Sequence, residues 1–146
     1  MQLYGFRNVL NGKDIINHFK KQGVQNLVKP NSLHLTIIYS KKDVNEKEII
    51  LDSNKLFYIP ENINLQKFGD YLVMVVSTPV LQQRFDYFKS KGCSWDYDIY
   101  QPHISICENF EGDIDNLKPY PNPIELGKEK IEKLQHEWKE EDNLDI

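Results

Sequence analysis

The chain reads as an α+β protein, and three observations carry that expectation. Helix-like and strand-like segments are mixed without a regular βαβ beat. Two amphipathic helical stretches each run into a glycine, Gly23 and Gly92. Two short strands, Leu33 to Tyr39 and His103 to Cys107, carry the same succession of histidine, apolar residue and hydroxyl residue. The length of 146 residues predicts a single domain covering 1–146, large enough to bury a core of its own.

Taken in order, Asn11 to Gln22 is a helix whose apolar side holds Ile15, Ile16 and Phe19. Leu33, Leu35 and Ile37 share one face of the next strand, and His34 and Thr36 the other. Asp43 to Asn54 is charged surface structure, and Lys55 to Ile59 is a strand ended by Pro60. Asn64 to Lys67 and Tyr71 to Ser77 form a hairpin around Phe68-Gly69-Asp70. A second helix follows Thr78 with Pro79 in its first turn, and Leu81, Phe85 and Phe88 fall on one face. The aromatic loop from Ser94 to Pro102 leads into the His103 strand. Pro119 to Pro123 is irregular and Ile124 to Leu126 a strand. Lys128 to Glu141 leaves two readings open, a strand then a tail, or a helix. Each half thus offers a helix, a glycine, a loop and a His-apolar-hydroxyl strand, a coarse symmetry compatible with two similar lobes.

Composition excludes several classes of function. The 18 basic and 22 acidic residues give a net charge of −4, against the basic face that long duplex nucleic acid requires. The start reads as no signal peptide, and the longest apolar run, Leu72 to Val76, is too short to span a bilayer. Cys93 and Cys107 make no disulfide framework and fit a reducing, cytoplasmic setting. Nothing calls for a cofactor, and no obligatory protein partner is evident.

The informative residues are His34, Thr36, His103 and Ser105. There are four histidines and nine Ser or Thr residues in the chain. Two of four histidines having a hydroxyl residue two places on is a chance event of roughly 2%. His18 and His136, followed at that spacing by Lys20 and Trp138, act as internal controls. On a strand, a spacing of two puts each imidazole beside its hydroxyl on one face. Two such pairs across a cleft can act on one phosphodiester. One imidazole takes a proton from the attacking hydroxyl, the other gives one to the departing oxygen, and Thr36 and Ser105 donate to the non-bridging oxygens. Taken singly, either motif is better explained by a structural histidine beside a strand-forming residue, and it is the two together that favour the catalytic reading.

These motifs, with the segments Ser32 to Ser40 and Ser94 to Ile106, resemble the 2H phosphoesterases, and within them the phage branch that defeats CBASS immunity. The resemblance implies a bilobal α+β fold, two similar lobes with mainly antiparallel sheets flanking a central cleft. It implies a metal-independent phosphodiesterase acting on cyclic di- and trinucleotide signals in the bacterial cytoplasm. It also carries Tyr4, Glu132 and Trp138 over as substrate-binding residues. Ser105 stands where Thr is common in that branch, which keeps the donor and loses the methyl group. Two other readings stay open: a 2H enzyme acting on RNA 2′,3′-cyclic phosphate ends, and a binding protein that sequesters cyclic nucleotides.

Other features have two readings each. Trp95, Tyr97 and Tyr100 stack on a base, or Trp95 packs between lobes with the tyrosines at its edge. Tyr4 stacks on the substrate or belongs to an N-terminal strand. Lys41 and Lys42 add positive potential near the cleft or are ordinary loop residues. His103, Ser105 and Cys107 would share a face, but with Cys93 they match no zinc spacing, and no metal site is expected.

Overall fold

The N-terminal residues Leu3–Asn8 form β1, the middle strand of a three-stranded sheet, in a computed structural model that describes residues 1–134. The chain continues through α1 (Gly12–Lys20), β2 (His34–Ser40), β3 (Leu56–Tyr58), β4 (Ile63–Phe68), β5 (Tyr71–Val76), α2 (Pro79–Ser90), β6 (His103–Cys107), β7 (Ile124–Leu126) and β8 (Lys130–Lys133). The last of these settles the open reading of the C-terminal stretch as a strand over its described part. Sheets of order β2-β1-β8 and β4-β5-β6 are accompanied by the pair β3-β7, and every pairing is antiparallel. The expected two-lobed antiparallel architecture is therefore present.

The segment leading into β2 touches the other large sheet at its margin. Just ahead of β2, Val28 N–H donates to Ile106 O of β6, so the chain borders one sheet before it enters the other. Near the end it returns, and β8 pairs with β1 in a register that sets Tyr4 opposite Glu132.

One apolar cluster draws on both sheets and both helices. Leu3, Leu35 and Ile37 meet Leu72, Met74, Ile104 and Ile106, with Ile15 and Phe19 from α1 and Leu81 and Phe88 from α2. A smaller cluster of Tyr4, Phe6, Tyr39 and Leu134 lies apart from it. Gly5 leaves room for the side chain of its β2 partner Ile38, whose Cγ2 would lie only 2.9 Å from a Cβ there. Thr78 caps α2 by accepting from Leu81 N–H. Gly69, at φ +57°, makes the two-residue turn between β4 and β5, a conformation that costs glycine little.

Beneath β1 lies a buried ionic network. Arg7 is fully buried; it donates to Asp52 Oδ2 at 2.7 Å and to the carbonyls of Asn54 and Gly127. Glu129, also buried, accepts from Arg84 through both Nε and Nη2 at 2.7 Å and from Asp52 N–H. No helix among the described residues is long and apolar enough to cross a membrane.

Candidate active site

The two motifs occupy matching positions in their strands. His34 opens β2 and His103 opens β6. Each ring is partly exposed, and each Nδ1 lies 2.8 Å from the carbonyl oxygen two residues back, Ser32 in one case and Gln101 in the other. A carbonyl can only accept, so Nδ1 carries the proton, and Nε2 is the atom at which a neutral ring would accept another. Neutral, such a ring is a base at Nε2; protonated, it is an acid at the same atom.

Backbone pairing repeats the symmetry. Val9 N–H donates to Leu33 O, so the alternation of an antiparallel ladder turns the main-chain groups of His34 and Thr36 away from β1. Val76 N–H donates to Pro102 O, which turns those of His103 and Ser105 away from β5. The main-chain groups of the histidine and hydroxyl residues thus face away from the neighbouring strand in both motifs, while the far end of β6 is bordered by Leu27 and Val28, and β2 and β6 approach with Cα atoms within 8 Å. Each strand is then bulged directly after its hydroxyl residue. Phe6 pairs with Thr36 and Gly5 with Ile38, passing over Ile37; Val73 pairs with Ser105 and Leu72 with Cys107, passing over Ile106.

The bulges re-aim the residues beyond them. Tyr39 comes round to the side of His34 and Thr36, where its ring centroid is 6.1 Å from that of Tyr4. Cys107 turns the other way, into the main core beside Leu72, instead of sharing the face of His103 and Ser105 as simple alternation predicts. Burial is the main effect pushing its thiol pKa up, so it is a small core residue.

The hydroxyls differ in company. Both Thr36 and Ser105 are 4% exposed. Thr36 Oγ1 lies 3.1 Å from Tyr4 Oη. Ser105 Oγ has no hydrogen-bond partner among the described residues. A buried hydroxyl without a partner costs free energy unless something else, such as a ligand oxygen, satisfies it.

Of the residues that the resemblance assigns to substrate binding, Tyr4 belongs to β1 and is 8% exposed, with its ring edge-on to His34 at 6.1 Å. Glu132 is exposed and directly opposite Tyr4, which places both on the His34 face of the sheet. Trp138 and His136 lie outside the described residues. Trp95 packs edge-on against Phe85 and Tyr100, its Nε1–H donates to Ile99 O, and it touches both apolar clusters, so its packing role is realised. Tyr97 is exposed. Lys41 pairs with Asp96 at 2.8 Å, and its positive potential is largely offset there. His18 bonds Lys118 O, away from either motif.

Three residues near the site went unread in the sequence. Phe68, at the end of β4, sets its ring edge-on to His103 at 5.1 Å, much as Phe6 stands 6.3 Å from His34. Lys130 pairs opposite Phe6 and so shares the face of Thr36. Their only local signals, an aromatic beside a hairpin glycine and a lysine at period two from Glu132, are too common to select them.

A family model described as "Anti-CBASS protein Acb1" matches residues 2–141. The chain belongs to the anti-CBASS Acb1 family. Curated relatives of that description include one from Salmonella phage S16, 30% identical over 132 residues, with 88% of this chain and 84% of the relative covered. One from Enterobacteria phage T4 is 29% identical, covering 79% and 75%. Another, from Caulobacter sp. (strain RHG1), is 29% identical over 94% of this chain but only 23% of its own length. The chain thus spans about a quarter of that relative, and 24% of the one from Sphingomonas paeninsulae. Among solved structures, E. coli LigT in its apo form superposes with a TM-score of 0.61 at 15% identity, covering 89% of this chain and 85% of that one. LigT complexed with 3′-AMP gives 0.60 with the same coverage. At that identity the likeness establishes that the chain shares the fold of LigT.

Proposed function

We propose that this Acb1 family member is a phosphodiesterase that hydrolyses cyclic di- and trinucleotide second messengers in the bacterial cytoplasm and so keeps CBASS effectors silent. The observation that carries the reading is the matched pair of imidazoles. Each is fixed through Nδ1 and has a hydroxyl two residues on, and their strands approach with Cα atoms within 8 Å.

In this mechanism the ribose 2′-hydroxyl attacks phosphorus and gives its proton to the neutral imidazole at Nε2. The other imidazole, protonated, delivers its Nε2 proton to the departing 5′-oxygen. The ring opens to a linear product with a 2′,3′-cyclic phosphate at its 3′ end, or with an opened phosphate once water attacks that phosphorus and the hydroxyl leaves, the two imidazoles exchanging roles. The motif symmetry makes the two roles interchangeable on paper. Ser105 and Thr36 donate to the non-bridging oxygens as charge accumulates, and both proton transfers are supplied by side chains, so no metal is called for. Tyr4 and Glu132, side by side on the first sheet, and Trp138 hold the bases.

Ser105→Ala is expected to lower kcat by about 10²–10³-fold. Thr36→Val should cost a similar factor, with the added loss of the contact to Tyr4. Steady-state assays on a cyclic dinucleotide check both.

A second reading has one observation in its favour: LigT, which shares this fold, has been solved with 3′-AMP bound. On that reading the substrate is an RNA 2′,3′-cyclic phosphate end. A single assay separates these readings. The protein is incubated with a panel of cyclic di- and trinucleotides and a 2′,3′-cyclic-phosphate RNA, with and without EDTA, then denatured, and the released nucleotide analysed. Linear product from cyclic substrates in EDTA is the expected outcome. Intact cyclic nucleotide recovered from the protein indicates a sequestering protein, and cleavage of the RNA end alone indicates the second reading.

A further inference from the structure

The loop leading into the second motif reaches back to the first. Tyr100, three residues before His103, is 8% exposed, and its hydroxyl donates to Thr36 O at 2.8 Å. That carbonyl points off the open edge of β2, where no strand of the first sheet can satisfy it. The phenol ring is held on its flanks. It stacks on Phe85 of α2 at 4.5 Å and an interplanar angle of 4°, and Trp95 meets it edge-on at 5.7 Å. Two residues on, Pro102 O accepts from Val76 N–H, and in between Gln101 O accepts from His103 Nδ1–H. Successive residues 100, 101 and 102 therefore fasten, in turn, the first motif strand, the second motif imidazole and the second sheet. Burial, foremost, and the nearby Glu129 carboxylate push the phenol pKa well above its ordinary value, which keeps the hydroxyl protonated as a donor.

We propose that Tyr100 is a positioning residue for the phosphodiester reaction, its hydroxyl bond to the Thr36 carbonyl setting the gap between the two motif strands. This rests on the two-imidazole reading above. The two imidazoles and two hydroxyls are useful only if they converge on one phosphorus atom, and a misplacement of an ångström carries a large rate penalty. The Thr36 carbonyl adjoins the bulge and lies at a sheet edge, where the ladder leaves it the most freedom.

Tyr100→Phe removes the hydroxyl and keeps the ring and its stack on Phe85. The expected result, on the cyclic dinucleotide that the wild-type protein cleaves fastest, is a kcat lower by about 10–100-fold with KM within about threefold. Ile15→Val, on the buried face of α1 and in neither motif, supplies a loss of stability for comparison and should leave kcat unchanged well below the unfolding temperature. A Tyr100→Phe kcat within twofold of the Ile15→Val value would overturn the proposal. Inorganic phosphate gives a readout free of turnover, by titration followed through the imidazole resonances of His34 and His103. Tyr100→Phe should weaken phosphate binding by at least about fivefold, and an unchanged affinity would overturn the proposal. Should the wild-type protein cleave none of the cyclic nucleotides, the proposed substrate fails, and the phosphate titration still decides the role of Tyr100.

Discussion

His34→Ala and His103→Ala are each expected to lower kcat on a cyclic dinucleotide by about 10²–10⁴-fold, the worth of one well-placed proton transfer. Each substitution removes the only imidazole of its motif. Neither neighbouring hydroxyl can replace it, because a Thr or Ser hydroxyl does not titrate near neutral pH. The double variant should be little worse than the poorer single one, since base and acid serve one transition state and their losses do not add. Both rings are partly exposed at the start of a strand, so unfolding temperatures should stay near that of the wild-type protein, and a loss of activity reports chemistry. The pH profile gives an independent check. A wild-type rate that needs one neutral and one protonated imidazole rises and falls with pH, and each single variant should lose one limb of that bell. A double variant that still linearises cyclic dinucleotides in EDTA would sink the mechanism.

Arg7→Met is expected to destabilise the fold by about 3–5 kcal/mol, the cost of stripping one partner from a buried ion pair. For a chain of this size that corresponds to a fall in Tm of roughly 10–15 °C. Methionine fills much of the space, yet it leaves the Asn54 and Gly127 carbonyls without their donor and Asp52 without its cation. Glu129→Gln should cost a similar amount, because Arg84 and Arg7 then face each other across a neutral amide. Urea unfolding of the two single variants and the double measures the coupling, and a loss below about 1 kcal/mol for Arg7→Met would show that water reaches the network. The acid limb should change as well. Partial burial raises the Asp52 carboxyl, but the Asn54 N–H and the Arg7 guanidinium outweigh it and leave the folded pKa below the usual carboxylate value. That contribution is present above the unfolded pKa and disappears as pH falls through the folded one. In Arg7→Met stability should therefore depend less on pH in the acid range.

Much of this was legible in the sequence, for identifiable reasons. Helices around Ile15 and Phe85 and the hairpin at Gly69 carry strong local signals, and the structure places them where periodicity and turn chemistry predict. His34, Thr36, His103 and Ser105 were readable because strand alternation converts a spacing of two into a shared face. What was not legible depends on contacts distant in sequence. The bulges after Thr36 and Ser105 exist only once β1 and β5 are paired, so nothing local announces that Cys107 turns inward or Tyr39 outward. Arg7, Asp52, Arg84 and Glu129 are ordinary charges in the sequence and become a buried network only through tertiary packing. Trp95 had two plausible uses, and the choice between them turned on α2 presenting Phe85 to it.

The placement of β8 has a consequence for how the molecule is made. The sheet that carries His34 pairs residue 3 with residue 133, so it gains its third strand only after nearly all of the described chain has left the ribosome. A nascent chain stopped short of residue 130 holds both histidines but lacks Glu132 and the outer flank of β1. Competence is thus acquired only once residues 130–133 have emerged, and truncations that remove β8 should be as damaging as lesions in the motifs themselves.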